Sequence, residues 1–178
     1  RGEGLASARP RRPGRVAAVR VLHLAFTAPH YPLHALPEDI ARYRGKYKMG
    51  WEEMRRQRHA RQLAMGLLDP KWKLSPTDSN SYDWATANQD WEDLRMATYA
   101  AMIDRMDQNI GKLLVSLEKT GDKDNTIILF LSDNGGCHEP THRGKPGALP
   151  GTPDSYDGYE YSWANASNTP FSWFKHWT

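Results

Sequence analysis

Two hydrophobic rhythms alternate along this chain. Between residues 90 and 120, Trp91, Leu94, Thr98, Met102, Met106, Ile110, Leu113, Leu114 and Leu117 recur at steps of three and four. That is the spacing of one helix face. Gly121 supplies a stop, and Gly111 is a candidate break. Residues 126–131 then run almost wholly apolar and end in Ser132, Asp133, Asn134, Gly135 and Gly136. The run is too short for a lone helix and is bounded by turn residues, so it reads as a buried strand. A second strand pattern covers residues 16–26, is strongest from 19 to 26, and is stopped by Pro29 and Pro32. A long amphipathic helix feeding a buried strand is half of an α/β unit, and strands buried on both faces belong to parallel sheets.

Between these landmarks the pattern is weaker. Pro37, Glu38 and Asp39 open a short helix. Residues 47–65 predict a longer one, crowded with Arg and Gln and polar enough for the surface. Within it, Arg55, Arg56 and Arg58 read as a solvated face. Residues 67–87 and 135–169 are rich in Pro, Gly, Ser and Asp without a period, and read as long loops. The expected class is α/β, with a mostly parallel sheet flanked by helices and long loops.

Charge changes the picture at one end only. The 178 residues carry +3 overall, with a sequence pI near 9.0. Residues 1–20 hold six Arg and one Glu, so the remainder is slightly acidic. A basic surface for nucleic acid is therefore not expected. Residues 1–18 read as a disordered basic tail, and residues 19–178 as the folded part. The mean hydropathy is −0.76, and no apolar stretch is long enough to span a membrane. A single cysteine, Cys137, excludes an internal disulfide and a Cys-based zinc cluster.

Ligand sites in parallel sheets lie beyond the carboxyl ends of the strands. His30 follows one expected strand end and Asp133 with Asn134 follows the other. Carboxylate and amide oxygens suit a hard cation such as Ca²⁺. A histidine and a late lysine, Lys175, suit negative oxygens on a substrate. On residues 126–136 alone, a strand closed by an Asx turn is the simpler reading. Gly135 and Gly136 permit a sharp turn and a close approach to a ligand. His23 alternates with apolar neighbours and reads as packing. Cys137, His138, Glu139 and His142 fit no defensible zinc spacing and read as exposed loop. Asn165, Ala166 and Ser167 form a glycosylation sequon.

Taken together, four segments resemble the sulfatase family, the arylsulfatase-type enzymes of the alkaline-phosphatase-like superfamily. They are Ala28-Pro29-His30-Tyr31-Pro32, residues 99–107, Ser132-Asp133-Asn134-Gly135 within residues 127–136, and residues 163–171. The resemblance covers about residues 22–178 and implies a partial alkaline-phosphatase-like sandwich. It makes Asp133 and Asn134 ligands of Ca²⁺, and His30 a contact to sulfate. Lys175 is the match for a second sulfate contact. The substrate would be a sulfated small molecule or glycan. A periplasmic or extracellular location is compatible with the resemblance, which fixes none.

The departures carry equal weight. The family's nucleophile is a formylglycine made from Cys or Ser in a Cys/Ser-x-Pro-x-Arg motif. Cys137 is followed by His138, Glu139 and Pro140, so it does not fill that motif. The early Asp-Asp metal pair is also missing. The resemblance thus implies a fragment of a sulfuric ester hydrolase, inactive alone, with an incomplete Ca²⁺ site. The competing readings are a phosphodiester or phosphonate hydrolase of the same superfamily, and a truncated non-catalytic relative.

Overall fold

The computed structural model describes residues 20–176; the basic tail expected over 1–18 lies outside the described residues. Four helices order the chain: α1 Pro37–Ala41, α2 Gly50–Ala64, α3 Gln89–Thr120 and α4 Glu160–Ser167. Short 3-10 turns occupy Trp84–Thr86 and Lys123–Asn125.

Helix α3 is the spine. The Asn88 side chain accepts from the Trp91 backbone N–H at 3.2 Å, and Asp90 and Glu92 meet the positive end of the helix. Gly121 ends it in the left-handed conformation, φ +75°. Gly111 introduces no break. The buried residues of α3 all lie between Glu92 and Met102, and the expected apolar stripe beyond them is only partly covered.

The core is aromatic. Trp51 of α2 and Trp163 of α4 meet edge to face, with ring centres 5.5 Å apart, and both contact Trp84. Edge-on packing aligns ring edge with ring face, which the aromatic quadrupole favours. Gly50 opens α2 at φ +83°, and a Cβ there would sit 2.7 Å from the Trp84 ring. Both the backbone angle and the ring exclude a side chain at this position.

Buried charges fix how the pieces dock. Asp93 is fully buried and accepts from Arg44 Nη1 at 2.7 Å and from the backbone N–H groups of Gly45 and Tyr47. Asp39 of α1 accepts from Arg105 Nε of α3 at 2.8 Å. Glu92 accepts from Tyr82 Oη at 2.8 Å and Trp163 Nε1 at 3.0 Å, and pairs with Arg95 at 3.1 Å. Arg55 departs from the expected solvated face. It is buried and donates to Ser75 O, Ser75 Oγ, Pro76 O and Thr77 Oγ1, pinning the loop that follows α2. Arg58 caps the last carbonyls of α4 at Ala166 and Ser167.

The expected parallel sheet is not formed among the described residues. Only two isolated bridges occur there, His34 with Gly151 and His142 with Asp157. The described parts of both strand-like runs, residues 20–26 and 126–131, are unpaired. Val21 is 88% exposed, Ile127 89% and Leu129 81%. The physical reason is that a strand is stabilised by a ladder and a covered face. Neither run meets a neighbour that offers either. His23, expected to pack, is likewise exposed. In the long loop expected after residue 135, α4 forms instead, held by Trp163, Ala164 and Asn165, all buried.

Substituting Trp163→Phe keeps an aromatic ring but removes the donor to buried Glu92. The expected cost is about 1–3 kcal/mol, because a buried charged acceptor loses one of its donors. Urea unfolding followed by near-UV circular dichroism measures it.

Candidate functional site

Pro29 and Pro32 break the extended segment and turn the chain, so His30 is displayed at a bend. Its backbone N–H donates to Thr27 O at 3.0 Å. Leu33, fully buried, anchors the bend through its backbone N–H to Asp157 O at 2.9 Å. His30 Nδ1 lies 2.8 Å from Tyr31 O. A carbonyl only accepts, so Nδ1 carries the proton and Nε2 of the neutral ring presents its lone pair. That lone pair faces Lys175 Nζ at 3.3 Å, across 145 residues of sequence.

Lys175 is aimed by its surroundings. Its backbone N–H donates to Gly136 O at 3.0 Å. The Asn168 side chain accepts from Gly136 N at 2.7 Å and donates to Trp173 O at 2.7 Å. These bonds tie the end of the chain's aromatic segment to the turn that carries Asp133 and Asn134. Gly135 and Gly136 are required here by close packing. A Cβ on Gly135 would come 2.4 Å from Asn168 Nδ2, and one on Gly136 2.8 Å from Tyr159 Oη. The close approach expected toward a ligand is made toward α4 and its end.

Asp133 and Asn134 line the same open groove as His30, with a volume of about 1890 Å³. Asp133 Oδ1 accepts from the adjacent Asn134 N–H at 3.1 Å, one residue short of the Asx turn expected here, and Asn134 Nδ2 donates to Gly135 O at 2.7 Å. Their oxygens have the right chemistry for Ca²⁺, but two residues fall short of the six to eight ligands it takes. Among the described residues no group of three or more His, Cys, Asp or Glu is arranged to hold a metal. The donor set present is therefore part of a Ca²⁺ site at most.

Sequence reasoning missed Glu139. Its carboxylate accepts from Tyr31 Oη, pairs with Lys175 Nζ at 3.4 Å and lies 3.1 Å from His176 Nε2. The Tyr31 hydrogen bond first, then His176 and Lys175, hold the carboxyl down to about 2. No periodicity marks this residue; its only signal is a carboxylate three residues past Gly136. His142 is exposed in a loop, as expected, yet has partners. It bridges Asp157 at Nδ1 and Glu160 at Nε2, beside buried Arg95. Cys137 is buried, and burial pushes its thiol up, away from the thiolate a nucleophile needs. The sequon is closed off: Asn165 is fully buried and its Oδ1 accepts from Asp78 N at 3.3 Å.

The Lys175 ammonium and the His30 imidazole meet at the groove that Asp133 and Asn134 also line. The chain belongs to the sulfatase family, whose model matches residues 19–176. Members are sulfate ester hydrolases of the alkaline-phosphatase-like α/β fold. The chain is 36% identical over 171 residues to an arylsulfatase of Klebsiella aerogenes, covering 84% of this chain and 35% of that protein. It is 38% identical over 117 residues to an uncharacterized sulfatase of Schizosaccharomyces pombe, covering 64% and 21%. A shorter match, 52% over 40 residues, is to an N-acetylglucosamine-6-O-sulfatase of Bacteroides thetaiotaomicron, covering 22% and 7%. The chain thus spans about a third or less of the length of these relatives.

The low Glu139 value sets a pH dependence. Its ordinary value is 4.5 and its folded value about 2, so its stabilisation is complete above pH 4.5 and fades as pH falls toward 2. Thermal unfolding scanned from pH 6 to about pH 2 is expected to lose part of its acid slope in Glu139→Gln. An unchanged slope would mean that the carboxyl titrates alike folded and unfolded.

Proposed function

We propose that this chain is the sulfate-recognising part of a sulfuric ester hydrolase. The observation that carries the reading is the 3.3 Å approach of Lys175 Nζ to His30 Nε2, at one rim of the groove that Asp133 and Asn134 line. Two donors converging from opposite ends of the chain fit the oxygens of a small tetrahedral anion. Lys175 supplies a fixed positive charge. His30 becomes a second donor when Nε2 takes up a proton, because Nδ1 is already committed to Tyr31 O.

In the complete enzyme Asp133 and Asn134 would hold Ca²⁺ through their side-chain oxygens. The cation would supply positive charge for the sulfate oxygens, and a formylglycine would supply the nucleophile. No Cys/Ser-x-Pro-x-Arg motif occurs in these 178 residues, so this chain carries no source of that nucleophile. Its own residues bind and orient sulfate and neutralise charge on it. The substrate class, a sulfated small molecule or glycan, belongs to this proposal.

Purified chain is expected to show no turnover of an aryl sulfate, and measurable turnover would overturn the assignment of the nucleophile elsewhere. It is expected to bind inorganic sulfate weakly, at about millimolar level, with binding lost in Lys175→Ala and His30→Ala. For Ca²⁺, titration is expected to give only weak binding, abolished in Asp133→Ala. Tight binding would instead point to a self-sufficient metal module.

A further inference from the structure

Glu139 stands between the two segments that deliver the proposed sulfate donors, and it contacts both. Tyr31, next to His30, donates its hydroxyl to Glu139. The Tyr31 ring lies 4.3 Å from the His30 ring, centre to centre. On the other side, Lys175 Nζ is 3.4 Å from Glu139 Oε1, and His176 Nε2 is 3.1 Å from the same oxygen. One carboxylate therefore gathers the bend at residue 30 and the segment at residue 175. Lys175 has a long stem that loses substantial rotamer freedom when fixed. A charged acceptor is the kind of partner that offsets this loss.

We propose that Glu139 is a positioning residue for sulfate recognition, holding the Lys175 ammonium against the His30 imidazole through paired contacts to Lys175 and Tyr31. The inference rests on the sulfate-site reading above. It has an electrostatic cost, because a carboxylate beside the site repels a dianion. The two effects have opposite signs on affinity, which makes them separable. A purely opposing charge would give tighter binding when removed. A positioning carboxylate gives weaker binding when its oxygens are lost, and retained binding when an amide oxygen replaces the charge. Glutamine keeps an acceptor for Lys175 and a polar partner for Tyr31; alanine keeps neither.

The test uses the full chain with sodium sulfate as the probe, at matched ionic strength. Glu139→Ala is expected to weaken sulfate binding about five- to tenfold, and Glu139→Gln to stay near the parent value or exceed it. In parallel, nuclear Overhauser contacts between the Lys175 side chain and the His30 ring are measured without sulfate. They are expected in the parent and in Glu139→Gln and absent in Glu139→Ala, with contacts within the Trp51–Trp163 core unchanged. Equal or tighter sulfate binding by Glu139→Ala overturns the positioning role while leaving the sulfate site standing. Persistence of the Lys175–His30 contacts in Glu139→Ala also overturns it. If the parent chain binds no sulfate, the functional reading falls and the recognition role falls with it, and contacts that vanish only in Glu139→Ala then mark Glu139 as a structural tether alone.

Discussion

Three charged residues in the first two turns of α3 are buried, and the rest of the molecule is arranged to satisfy them. Glu92, Asp93 and Arg95 leave water only because other segments bring partners to them. Asp93 draws in residues 44–47, Glu92 draws in Tyr82 and Trp163, and Arg95 reaches Glu160 at 3.3 Å. Burial raises the Glu92 carboxyl against the pull of Arg95, Tyr82 and Trp163, so desolvation is the larger effect. Replacing such a cluster by apolar residues is often neutral for stability, whereas breaking it is costly. What the cluster adds is register. It fixes which part of each loop lies on α3, and so where the loop ends emerge.

That register places the site. The loop carrying Tyr82 and helix α4 meet at Glu92, and α4 in turn holds residues 135 and 136 against its side. Asn168, just past α4, passes this placement on to Trp173 and Gly136. Lys175 is therefore positioned by a chain of contacts that begins at a buried carboxylate on α3. His30 is positioned independently, through Leu33 and the bridge at His34. Glu139 and Lys175 join the two systems where they meet.

The helices were legible because their signal is local. Pro37 with Glu38 and Asp39, the apolar steps of α3 and the glycine at 121 each act within one turn of the chain. Helix α4 was not legible. It is short, opens on Glu160 at φ +60° with no side-chain cap, and is held by tertiary burial of Trp163 and Asn165. The buried Arg55 was misread for the same reason: its acceptors are mostly backbone carbonyls and hydroxyls of residues 75–77, which no charge pattern advertises. The strand-like runs show the converse. Their apolar content was read correctly, yet a sheet is a property of pairing, and no pairing follows from one run. His30, Asp133, Asn134 and Lys175 were found through family motifs rather than physical pattern. Glu139, which lies in no motif, was not found.

Charge sets what the assembled rim can hold. Lys175 contributes one fixed positive charge, Glu139 opposes it with one negative charge at 3.4 Å, and Asp133 lines the groove that His30 borders. At an effective dielectric near 20, one charge pair at 4 Å is worth about 4 kcal/mol, so a dianion meets attraction and repulsion of similar size. A divalent cation held by Asp133 and Asn134 would neutralise one of the opposing carboxylates and add attraction of its own. On the proposed reading, sulfate binding draws on that added charge. The rim is specific in shape through Tyr31, Glu139 and Lys175, and incomplete in charge.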